Sequence, residues 1–344
     1  MNLRDFRPKP TLVTKETAVE KPKFPAIDAH NHLGILGWTW HEKPVSALTD
    51  VMDEAGITTY VDLDGGWGED VLIHRLDKFK TAVPERYLVF GGVNWSKWEE
   101  KGRAFGEWAG QRLVRQVSWG AQGLKIWKPF GLEVTDEKGR LVPVDDTRLI
   151  PLWETAADLN IPVVIHTADP VAFFAPLTPE NERWEELASH PEWHFLDPNF
   201  PSFETLIEQF ATLVKRHPRT TFIGAHMANY AENLGWVSQL LDEAPNLYID
   251  FSARLGEVGR QPYSARRFFI KYADRILFGT DASPNLDVYR TYYRFLETDD
   301  EYFNYGRFEP PGQGRWRIYG IQLPDDVLKK IYSENARKVL RLTP

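Results

Sequence analysis

Apolar and polar positions alternate along this chain in a regular order. Short, near-continuously apolar runs are separated by longer stretches whose apolar residues recur at helical spacing. Eight runs read as strands: 24–30, 57–63, 87–93, 123–126, 161–166, 221–226, 247–251 and 276–280. The pattern predicts helices over 45–56, 70–83, 98–118, 149–159, 202–216, 235–243 and 265–272, and a last one over 325–340. Punctuation agrees with these limits. Gly56 and Gly120 are helix stops, Ser202 and Glu204 open a helix, and Pro84, Pro218 and Pro324 stand where helices end or begin. Val163-Val164-Ile165 and Ile276-Leu277-Phe278 show no alternation, as strands covered on both faces should not. Every crossover is long enough for a parallel connection. The expected fold is therefore α/β, a (β/α)8 TIM barrel with long inserted loops after strands 5 and 8, at about 167–200 and about 299–323. A doubly wound sheet is the rival, but it announces itself with a glycine-rich first turn. Here the first strand ends in histidines. Residues 1–23, interrupted by Pro8, Pro10 and Pro22, read as an extended arm ahead of one domain over 24–344.

Composition narrows the function. Of 344 residues 42% are hydrophobic and 26% charged, which suits a globular chain with a real core. A formal charge of −8 argues against nucleic acid or an anionic membrane as partner and leaves a small-molecule substrate. No apolar stretch approaches the roughly 20 residues of a membrane span. The absence of cysteine excludes disulfides and thiolate ligands. The polar N-terminus has no signal-peptide pattern, so a cytoplasmic location is expected, with a removed leader left open. Thirteen tryptophans, many beside Gly, Pro or a strand end, hint at a pocket walled by aromatic rings.

Candidate chemistry falls at strand ends, where a (β/α)8 barrel keeps its active site. Asp28-Ala29-His30-Asn31-His32 closes the first strand. Period-two alternation would point Asp28, His30 and His32 the same way, and paired imidazoles at a strand end suit a divalent metal. A hydrogen-bonded core pair is the plain alternative. Lys125 ends the fourth strand, His166 the fifth, His226 the sixth and Asp281 the eighth. The other five histidines, His41, His74, His190, His194 and His217, fall in loops or helices and read as solvated or packing residues.

This order resembles the amidohydrolase superfamily, in the metal-dependent branch that holds aminocarboxymuconate-semialdehyde decarboxylase and related hydrolases. The carrying stretches are Ile27-Asp28-Ala29-His30-Asn31-His32, Gly123-Leu124-Lys125-Ile126, Val164-Ile165-His166, Phe222-Ile223-Gly224-Ala225-His226 and Ile276-Leu277-Phe278-Gly279-Thr280-Asp281, with Ser333-Glu334-Asn335-Ala336 in the last helix. The resemblance implies that His30, His32, His166 and Asp281 bind one divalent ion. Such a donor set suits zinc, with manganese or another first-row metal open. It implies Asp281 as the proton-shuttling catalytic residue and His226 as a second catalytic residue that polarises a carbonyl or steadies an oxyanion. Asp28 reads as a supporting residue below His30. Lys125 is expected to contact substrate oxygen, with a carboxylated metal bridge or a structural ion pair as alternatives. Trp127 should share its face, and Arg254 is placed to grip a substrate carboxylate. Trp38, Trp40 and Trp67 are candidate pocket walls. The implied activity is hydrolysis of an amide, ester or lactone carbonyl by metal-activated water. Non-oxidative decarboxylation is the alternative, and a non-catalytic binding protein is the weakest reading. Retention of His30, which several decarboxylases of the branch replace by an acid, tips the balance toward hydrolysis. The resemblance also leaves a homodimer open.

Overall fold

A computed structural model describes residues 6, 9–34, 39–306 and 312–342. Each apolar run contains a strand: β1 Ala26–Asn31, β2 Ile57–Asp62, β3 Tyr87–Val89, β4 Leu124–Ile126, β5 Val163–Ile165, β6 Phe222–Gly224, β7 Leu247–Asp250 and β8 Ile276–Leu277. Pairing is parallel and sequential, β1-β2-β3 in one ladder and β4-β5-β6-β7-β8 in another. Backbone hydrogen bonds join the two ladders at both ends. Lys125 N–H donates to Gly91 O at 2.8 Å and Gly91 N–H to Gly123 O at 2.9 Å. Across the other gap, Ala29 N–H donates to Phe278 O at 2.9 Å and Asp281 N–H to His30 O at 2.8 Å. The strands thus form the ring of a (β/α)8 barrel.

Ile27, Ala29, Val61, Leu63, Leu88, Phe90, Val164, Ile223, Ala225 and Leu277 fill the inside of the ring, and Ala336 and Val339 from the last helical segment pack against them. A larger apolar layer lies between the strands and the helices α1 Val45–Ala55, α2 Glu69–Arg75, α3 Phe105–Trp119, α4 Ile150–Leu159, α5 Phe203–Arg216, α6 Leu234–Glu243, α7 Pro262–Lys271 and α8 Leu286–Glu297. Local signals act as expected. Gly56 ends α1 at φ 72°, and Ser202 Oγ accepts from Thr205 N–H at 3.2 Å to open α5.

Some elements differ from the reading of the sequence. The helix expected over 98–118 is broken, with Trp98–Lys101 ending at Gly102 (φ 51°) before α3 begins. Pairing of β1 with β2 is irregular between Asp28 and Asn31, so simple alternation does not carry through to His32. The insertion after β5 holds the short helical turns Val171–Phe174, Trp184–Ser189 and Pro191–Trp193. The second insertion follows α8, not β8 directly, and is closed by an antiparallel bridge between Phe303 and Ile318. Arg315 from this insertion grips Glu185 from the first at 2.8 and 2.6 Å. Residues 9–25 carry neither helix nor strand, and Thr17 lies against Asp300, donating from both its N–H and its hydroxyl at 2.6 and 2.7 Å. Among the described residues no helix is long and apolar enough to cross a membrane.

Candidate metal centre

Two carboxylates that end strands orient the paired histidines. Asp250, at the end of β7, is 2.9 Å from His30 Nδ1, and Asp64, just beyond β2, is 2.8 Å from His32 Nδ1. Both carboxyl groups are driven upward by burial. Histidine partners overcome this and hold them below the usual carboxylate range. Asp250 is therefore an acceptor, and His30, whose pKa burial pushes down, donates Nδ1–H to it and turns the Nε2 lone pair toward the middle of the barrel mouth. His226 is fixed in the same tautomer. Its Nδ1 is 2.8 Å from Ser252 O, a carbonyl that can only accept, so Nε2 carries no proton while the ring is neutral. Burial, then Arg254, lowers its pKa well below the ordinary histidine value.

Asp281 stands where these lone pairs converge. Its oxygens lie 3.0 Å from His32 Nε2, 3.7 Å from His30 Nε2 and 3.8 Å from His226 Nε2. Burial favours its neutral form, but the His32 hydrogen bond and the other imidazoles outweigh that and keep it ionised. Two neutral lone pairs thus face an anion with no proton between them, which calls for a cation. Two atoms each about 2.1 Å from one ion stand about 3.0–3.4 Å apart, a separation that His32 Nε2 meets and that His30 and His226 Nε2 exceed by a few tenths of an ångström. Burial lowers the pKa of His32, but bonds to Asp281 and Asp64 raise it to about 9.

Local backbone sets these positions. Asp281 follows β8 with φ 54°, anchored by its N–H to His30 O. His226, Met227, Ala228 and Asn229 all have φ between 54° and 63°, a left-handed turn without glycine immediately after β6. Such a run is strained. Asn229 secures it by accepting from Thr167 N–H at 3.1 Å and Ala168 N–H at 3.4 Å, just beyond His166.

The sequence-derived residues gather unevenly. His30, His226 and Asp281 offer donor atoms within 4.8 Å of one another. His166 stands beside His226, ring centroids 4.4 Å apart, but is absent from that trio. Its Nε2 is buried, 3.3 Å from Asp169 Oδ1, and makes no hydrogen bond. Burial lowers its pKa to about 4. Lys125 is 1% exposed and its ammonium has no hydrogen-bond partner, lying 4.8 Å over the Trp127 ring. Burial brings its pKa down to about 8 against the pull of Asp281 and Asp250. Trp127 in turn lies 4.9 Å from the His32 ring. Arg254 is buried beside the centre, with one bond to Ala253 O at 3.0 Å. Asp28 accepts from His30 N–H at 3.5 Å and, more closely, from Thr280 N–H at 3.1 Å and Thr280 Oγ–H at 2.9 Å. Trp40 lines a cavity of about 640 Å³ with Asp281, Thr280, Trp193, Tyr292 and Tyr305. Trp67 lines a different cavity, and Trp38 lies outside the described residues.

The comparisons agree with this architecture. A family model described as amidohydrolase matches residues 104–342. The chain belongs to the amidohydrolase family. Members of this family are metal-dependent enzymes, hydrolases or decarboxylases, and this chain is an enzyme of that kind. A TIM-barrel protein from Bordetella bronchiseptica aligns with TM-score 0.56 and 17% identity over 92% of this chain and 98% of its own. The 2,6-dihydroxybenzoate decarboxylase complexed with 2,6-dihydroxybenzoate aligns with TM-score 0.59 and 18% identity, over 93% and 99%. A dihydroxybenzoic acid decarboxylase from Polaromonas, holding manganese and the inhibitor 2-nitroresorcinol, aligns with TM-score 0.57 and 16% identity, over 95% and 98%. No curated protein sequence matches the chain.

Asp64, Asp250 and Ser252 escaped the sequence reading as functional positions. Asp64 and Asp250 obey the rule that located the histidines, being acids at or just beyond a strand's C-terminal end, and that rule applied to every acid would have found them.

Proposed function

We propose that this amidohydrolase is a metal-dependent hydrolase acting on an amide, ester or lactone carbonyl of a small, oxygen-rich or carboxylated molecule. The observation that carries the reading is Asp281. Its carboxylate is ionised, faces the Nε2 atoms of His30, His32 and His226, and still has 25% of its side chain exposed toward the cavity. A base in that position can take a proton from an attacking water and return it to a leaving group.

His30, His32, His166 and Asp281 would hold the ion: His30 and Asp281 already bring donor atoms together, with His226 alongside, and the His166 Nε2, which makes no hydrogen bond among the described residues, favours that residue as a further ligand. A divalent ion there, zinc or manganese, would supply water activation at neutral pH and polarisation of a substrate oxygen. His226 presents a proton-accepting Nε2 in the tautomer that Ser252 O enforces, so it serves as a base or relay beside Asp281 and not as an N–H donor to an oxyanion. Lys125 and Arg254 supply positive charge to an anionic substrate, Lys125 as a point charge and Arg254 as a planar fork.

Decarboxylation is the second reading. The same two cations suit a substrate carboxylate, and two aligned structures are decarboxylases. The deciding experiment gives metal-loaded enzyme a panel of lactones, esters, amides and carboxylated phenols while CO₂ release is followed. Turnover of a lactone, ester or amide without CO₂ supports hydrolysis. CO₂ from a carboxylated phenol replaces it with the second reading.

A further inference from the structure

A second cavity, of about 810 Å³, lies on the β2–β4 side of the barrel mouth, and the proposed chemistry makes no use of it. Trp67, Trp95, Trp108 and Trp127 line it. Trp127 is the wall it shares with the centre, its ring tilted between those of His32 and Trp67 at centroid distances of 4.9 and 4.3 Å. Trp67 uses one face on Trp127 and is 40% exposed, which leaves an indole face toward solvent.

The polar lining is charge-balanced and mutually occupied. Arg112 forms a two-pronged pair with Glu69, one prong at 2.7 Å, and Gln116 Nε2 donates to the same carboxylate at 3.3 Å and to Gly92 O at 3.0 Å. Lys97 and Lys101 share Glu100 at 2.9 and 2.5 Å. Asp70 also lines the cavity, so its three acidic side chains (Glu69, Asp70, Glu100) equal its three basic ones (Lys97, Lys101, Arg112) in number. The cavity therefore combines flat apolar rings with many hydrogen-bonding groups and no net charge, in contrast to the centre, where Lys125 and Arg254 form no ion pair among the described residues.

We infer that this cavity binds a neutral, hydroxylated ring of the saccharide type. The ring's apolar face would stack on Trp67, and its hydroxyls would meet the Glu69–Arg112–Gln116 and Lys97–Glu100–Lys101 groups. A charged ring would meet a lining whose six charged side chains sum to zero, and a bare aromatic ring would use the indole face but none of the wall's hydrogen-bonding groups. The volume suits one or two sugar rings. This site stands independently of the reaction assigned to the centre.

The test is calorimetric and saturation-transfer NMR titration of the full-length protein with methyl β-glucopyranoside, cellobiose and benzoate, with and without added metal. The expected result is saturable binding of at least one neutral sugar irrespective of metal. Trp67→Ala and Trp108→Ala should each weaken it about tenfold or more, with thermal melts reporting that both variants remain folded. No sugar binding, binding unchanged in both variants, or benzoate binding that depends on Trp67 while sugars do not bind would each overturn the inference.

Discussion

At the scale of single residues, the centre is a set of histidines whose tautomers are dictated from behind. His226 gives the sharpest test. His226→Asn should keep near-normal metal content and fold while kcat falls about 10²–10⁴-fold, the range of a positioned proton-transfer group. Metal analysis and turnover must come from one preparation, because an ion-poor sample imitates a catalytic defect. Loss of the ion in this variant would make His226 a ligand and displace His166 from the set. Lys125 poses a different question, since an unpaired ammonium 1% exposed costs stability unless something anionic arrives. Lys125→Met should raise the unfolding free energy by about 1–3 kcal/mol and also raise KM for an anionic substrate. A lower melting temperature would show that the lysine is paired in solution. His30, His32, His166, His226, Lys125 and Asp281 could be singled out in the sequence because each is a polar side chain closing an apolar run. The convergence of the His30, His32 and His226 rings on Asp281 could not, because ring orientation depends on Asp250, Asp64 and Ser252 O, which reach them from other parts of the chain.

At the scale of elements, the eight strands and most of the helices between them followed from apolar spacing, but α8 at Leu286–Glu297 was missed, and the helix read over 70–83 is α-helical only over Glu69–Arg75. Other losses came where backbone geometry overrides pattern. Gly102 splits a helix that spacing alone runs together, and β8 stops at Leu277 although its apolar run continues. The left-handed turn 226–229 gives no sequence signal, since none of its residues is glycine. Its dependence on Asn229 is testable. Asn229→Ala removes the acceptor for Thr167 and Ala168 N–H and should cost about 1–3 kcal/mol, with weaker metal binding because His166 and His226 both loosen. The N-terminal arm depends on Asp300. Burial favours the neutral form of this group, but bonds from Thr17 and the charge of Arg294 hold its pKa below the ordinary aspartate value. A carboxylate lowered on folding contributes stability that is complete above the unfolded value of about 3.9 and lost as pH falls through the folded one. Limited proteolysis should thus find the arm protected at neutral pH and increasingly cleaved below about pH 4, and Asp300→Asn should be cleaved at neutral pH. An arm equally protected in Asp300→Asn would remove Asp300 as its anchor.

At the scale of the whole molecule, the proposed ion would tie β1, β5 and β8 together, so it should stabilise the entire barrel. Free metal at about 100 times its Kd adds about 2.7 kcal/mol to unfolding, and chelation should lower Tm accordingly. Occupancy should fall in acid, because imidazole and carboxylate must lose protons to bind. A melting temperature indifferent to chelator, in protein shown to hold metal beforehand, would place the ion outside the fold's stabilising framework.

The seam between β1 and β8 also determines when the site can exist. Thr280 and Asp28 meet there across 252 residues of chain. Contacts so distant in sequence form late, since the entropy of closing the intervening loop must be met first. On the ribosome, His30 and His32 emerge long before Asp281 is made. A nascent or C-terminally truncated chain thus carries only part of the donor set, in a barrel with an open edge and apolar surface to hide. Such a species is the one most prone to aggregate and to need a chaperone. Refolding should accordingly show backbone structure first and metal uptake only in the final, slowest phase.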